Sequence, residues 1–125
     1  MINTKTTRSA AAIVACLAVF PAMAHHSGSM FDSAKPMTLR GVVRTFDWVN
    51  PHARILIEPD DQTGKIWMLE TTSPGRLARG GWTRRSLQPG DRVEVKMLPA
   101  KDGRLMGNLV EIRNLATGVA LDRPD

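Results

Sequence analysis

Cysteine is nearly missing from this chain: the 125 residues hold one, Cys16, inside an apolar run near the start. If that run is removed as a leader, no thiol remains. Disulfides and thiolate metal sites are then excluded, and metal donors are limited to nitrogen, oxygen and thioether. Long apolar runs are missing too. Ala10 to Phe20 falls short of the ~20 residues a membrane-crossing helix needs, and no later stretch is longer. Nucleophile elbows, phosphate loops and paired-carboxylate patterns are absent, and Ser27 beside His26 has no visible orienting partner. Catalysis by ordinary side chains is therefore not expected.

What is present starts with an export leader. Lys5 and Arg8 precede the apolar run, and Pro21-Ala22-Met23-Ala24 follows it, the order of a cleavable signal peptide with cleavage after Ala24. Ile13-Val14-Ala15-Cys16 also reads as a lipoprotein processing site, but its apolar region is short and it leaves Phe20 to Ala24 without a role. The expected address is the periplasm. Removing residues 1–24 leaves 101 residues and takes away two of the 17 basic side chains and none of the 12 acidic ones, so the mature net charge is +3. That mild surplus lacks the dense basic stripe of a nucleic-acid binder. About 100 residues build one core and not two.

The pattern divides into a leader at 1–24, an irregular arm at 25–36, a β domain at 37–115 and a C-terminal tail at 116–125. Met37 to Trp48 is rich in β-branched and aromatic residues, and Gly41 marks a bulge or sharp coil that lets one strand serve two sheets. Val49-Asn50-Pro51-His52 turns the chain into a second strand, Ala53 to Glu58, and a polar loop from Pro59 to Gly64 leads to a third, Lys65 to Thr71. Ser73-Pro74 and Gly80-Gly81 bracket one or two turns of helix. Arg92 to Leu98 and Leu105 to Arg113 supply strands four and five, with Val93, Val95 and Met97 on one face. Three strands, a short helix and two strands match an all-β, five-stranded OB-like barrel; an open sandwich or meander uses the same strands.

His25-His26-Ser27, Met30-Phe31-Asp32, Leu39 to Val43, Trp48-Val49-Asn50-Pro51-His52, Gly81-Trp82, Leu87 to Asp91 and Asp102-Gly103 together resemble a bacterial family of small exported proteins, catalogued as a domain of unknown function. The resemblance covers nearly the whole mature chain. It implies export and a barrel-like β fold, and carries no assigned activity. Gly28-Ser29 departs from the bulkier, more apolar pair expected after the histidines, which loosens the arm.

All three histidines, His25, His26 and His52, fall within these motifs. Cleavage after Ala24 gives His25 a free α-amine that closes a chelate ring with its own Nδ1. A second imidazole completes a histidine brace, a nitrogen set suited to Cu(II). Binding displaces the proton of an amine whose ordinary pKa is ~7.7 to 8.0, so affinity falls with acid. His52 is the expected third ligand, because Pro51 stiffens a loop that borders the binding face of OB folds. Zinc is the second choice, with Asp32 as an oxygen ligand. The bland alternative is a terminal His-His stub and a turn histidine bonded within its own loop.

Met30, Met37, Met68, Met97 and Met106 offer soft donors for Cu(I), although packing explains most methionines. Arg76, Arg79, Arg84 and Arg85 form a cationic patch able to seat a carboxylate or phosphate, and equally an ordinary solvated face. Trp48, Trp67 and Trp82 can stack on a ligand or fill the core. The expectation is a periplasmic binding module for copper, with two alternatives of other kinds: a metal-free module for a small ligand or another periplasmic protein, and a copper oxidoreductase.

Overall fold

Residues 30–125 are described by a computed structural model, which begins just ahead of a docked arm and the first long strand. Six strands and one helix follow in order: β1 (Met37–Asp47), β2 (Arg54–Pro59), β3 (Trp67–Glu70), α1 (Pro74–Arg79), β4 (Arg92–Pro99), β5 (Met106–Asn114) and β6 (Ala120–Asp122). β1 pairs antiparallel with both β2 and β4, and β4 with β5; a parallel pairing of β3 with β5 closes the sheet into a barrel. This is the five-stranded barrel expected from the strand order, its closure mixed through the parallel β3–β5 pair, and it rules out the open meander. The Asn50–Pro51 peptide in the β1–β2 loop is cis. Among the described residues no helix is long and apolar enough to cross a membrane.

β1 spans both halves of the barrel because of two local features. Gly41 pairs with Pro59 on one side and Val93 on the other. A Cβ there would overlap the Glu58 carbonyl, so glycine is needed for close backbone approach. The bulge itself lies three residues later than Gly41: the β1–β2 register slips between Val43 and Thr45, leaving Arg44 as the extra residue.

Inward side chains of all five barrel strands form the interior, with Val43, Ile55, Ile57, Leu69, Val93, Val95, Met97, Leu109 and Ile112 fully or almost fully buried. Leu109 and Ile112 are three apart and would face opposite ways in a regular strand. A register shift opposite Lys96 and Met97 makes Val110 a bulge, which restores Ile112 to the interior. The Val110 carbonyl accepts from Arg123 N–H just beyond β6.

α1 plugs one barrel end. Ser73 caps it by accepting from Arg76 N–H, Pro74 occupies the first turn, and Leu77 points into the core. Gly81 and Trp82 N–H groups return to the Ala78 and Leu77 carbonyls, a Schellman ending that needs the positive φ of Gly81. The segment 116–125, expected to be a tail, instead supplies β6, which pairs with β5. The Trp82 indole N–H donates to the Asp122 carbonyl at 2.9 Å, tying this segment to the helix end.

Candidate functional site

His52 sits in the β1–β2 loop immediately ahead of β2, as the turn signals require. Its Nδ1 is bonded to Oε1 of Glu70, the last residue of β3. The two side chains differ in exposure: His52 keeps 36% of its surface and Glu70 only 10%. With the carboxylate accepting, a neutral ring carries its proton on Nδ1 and its lone pair on Nε2. Holding the far nitrogen of an imidazole by a buried carboxylate is how proteins orient a metal-ligating histidine. His25 and His26 lie outside the described residues.

The registers place this pair on the outer surface of the barrel. Asp47 pairs with Arg54, Arg54 with Glu70, and Glu70 with Asn108, giving a polar row across β1, β2, β3 and β5. Asn108 Oδ1 in this row is buried without a protein partner among the described residues. The adjacent row, two residues along, is Thr45, Leu56, Met68 and Met106. The arm lies against that second row: Phe31 bridges to Ala100, and Met30, Phe31, Met68, Leu98, Ala100 and Met106 form an apolar cluster separate from the barrel interior.

Glu70 was not singled out by sequence reasoning, since it reads there as the polar end of Trp67-Met68-Leu69-Glu70. In the structure Glu70, Thr71 and Thr72 are consecutive buried polar residues after an apolar strand. Thr71 Oγ1 donates to the Ala53 carbonyl at 3.0 Å, which joins the end of β3 to the residue after His52.

The other candidates are engaged differently. The Asp32 carboxylate accepts from Ala34 N–H at 3.0 Å and so caps a turn in the arm. Arg76, Arg79, Arg84 and Arg85 are exposed around α1 and form no ion pair among the described residues. Trp82 is buried in the core, whereas Trp48 and Trp67 are half-buried against it. Asp61 takes both N–H and hydroxyl of Thr63, contacts that hold its carboxyl below the usual range, and Asp60 pairs with Arg92 at 2.6 Å. A shallow cleft of about 340 Å³ opens at the barrel end away from α1, between Met37, Leu39, Pro59, Asp60 and Trp67. Its polar flank is taken up by protein: Arg40 binds Glu94 at 2.7 Å.

Among the described residues no three histidine, cysteine, aspartate or glutamate side chains gather as a metal cage. His52 and Glu70 supply one oriented imidazole, and any further nitrogen must come from elsewhere. Comparison with curated proteins and with solved structures returns no match. A family described as a family of unknown function, DUF6152, matches residues 11–109, and the chain belongs to that family.

Proposed function

We propose that this is a periplasmic binding module that coordinates one copper ion through His25, His26 and His52. The observation that carries the reading is the His52–Glu70 pair, in which the carboxylate fixes the ring and leaves Nε2 as the donor. Chain length supports it. Phe31 bridges to Ala100 and shares an apolar cluster with Met68, which lies two residues before Glu70 on β3, a step of ~6.6 Å along the strand. The five residues 25–29 extend up to ~18 Å, a reach comparable to the width of so small a barrel. Three nitrogens from imidazoles and one from the amine suit Cu(II) among the divalent ions. Zinc is the competitor, and its tetrahedral preference would recruit an oxygen donor.

The test compares protein starting at His25 with a form carrying one extra residue before it and with His52→Ala, each titrated with Cu(II) against a competing chelator. A brace loses affinity in both variants, by tenfold or more on extension, because the amine becomes an amide that closes no ring. Equal affinity in His52→Ala and the authentic form would reduce the site to a terminal His-His stub. Retention of full affinity after denaturation would leave only metal-free readings of the barrel.

A further inference from the structure

The five methionines from position 30 onward separate into distinct surroundings. Met97 is fully buried in the barrel interior, where its sulfur lies beneath Gly107, and Met37 packs at the barrel mouth. The remaining three come together. Met68 and Met106 are Cα partners in the parallel β3–β5 pair, so their side chains leave the same face of adjacent strands, and Met30 joins the same apolar cluster from the arm. Met106 is buried, while Met30 and Met68 are partly exposed. Phe31, Leu98 and Ala100 provide apolar walls around the three.

We propose that Met30, Met68 and Met106 form a thioether site for one soft monovalent cation, Cu(I) or its redox-stable equivalent Ag(I). Thioethers are uncharged and polarisable and bind soft d¹⁰ cations in preference to hydrated divalent ones. Apolar walls strengthen that preference, since nothing there replaces the water shell of a hard ion. No proton is displaced when a thioether binds metal, so affinity is insensitive to acid, in contrast to an imidazole and amine site. The site stands on the methionine cluster alone and does not depend on the copper brace.

The experiment titrates Ag(I) into the authentic mature protein carrying ¹³C-methyl methionine, at pH 7 and pH 5. The expected result is that the ε-methyl signals of Met30, Met68 and Met106 move together and saturate at one equivalent at both pH values, while those of Met37 and Met97 stay in place. Met68→Leu and Met106→Leu conserve volume and should each weaken Ag(I) binding at least tenfold. His52→Ala should leave the methyl shifts intact, which separates this site from the nitrogen site. Static methyl signals, equal movement of all five, or undiminished affinity in folded Met68→Leu would overturn the proposal, as would loss of the shifts in His52→Ala. Met68 is only partly buried, so its variant keeps the test usable if Met106→Leu unfolds.

Discussion

Glu70 has the most consequential side-chain environment on the outer face, because a buried carboxylate there serves a neighbouring ring rather than the core. Replacing it with glutamine keeps the volume but replaces a charged acceptor by a weaker neutral one. Glu70→Gln is expected to lower Cu(II) affinity about 10- to 100-fold, the usual effect of losing an outer-shell partner. Long-range ¹⁵N–¹H spectra of the metal-free protein give an independent reading: wild type should protonate His52 Nδ1, and Glu70→Ala should lose that preference. An unchanged tautomer and affinity in both variants would remove Glu70 from the site. His52 was legible in the sequence from its rarity and its proline neighbour. Glu70 was not, because its significance depends on which strand end faces the β1–β2 loop, a consequence of the β2–β3 pairing.

At the level of elements, bulges decide which side chains reach the interior. Alternation alone identified Val93, Val95 and Met97 as one inward face, and all three are fully buried. It could not place Leu109 and Ile112 together, since that requires the extra residue Val110. Glycine punctuation located the α1 ending, but at Gly41 the same residue type signals crowding rather than a bulge. Gly41→Ala puts a methyl group against the fixed Glu58 carbonyl, and strain of this kind costs about 1–3 kcal/mol. Urea unfolding should show that loss, whereas alanine at Gly64, where a Cβ meets nothing within 4 Å, would cost only its positive φ. β6 escaped notice because three residues give no period to read.

For the molecule as a whole, strand order carried the architecture: three strands, a short helix and two strands close as a barrel through the β3–β5 pair. The same closure puts His52, Glu70 and the methionine row on one outer surface, although they are far apart in sequence. Family membership adds no activity to this arrangement. The central claim, a copper site completed by the mature terminus, is tested most directly by pulsed electron paramagnetic resonance on protein whose intact mass confirms a start at His25. Loaded with one equivalent of Cu(II), it should show an axial, nitrogen-rich spectrum with imidazole remote-nitrogen couplings that diminish in His52→Ala. An identical spectrum from His52→Ala, or from the denatured chain, would contradict the account.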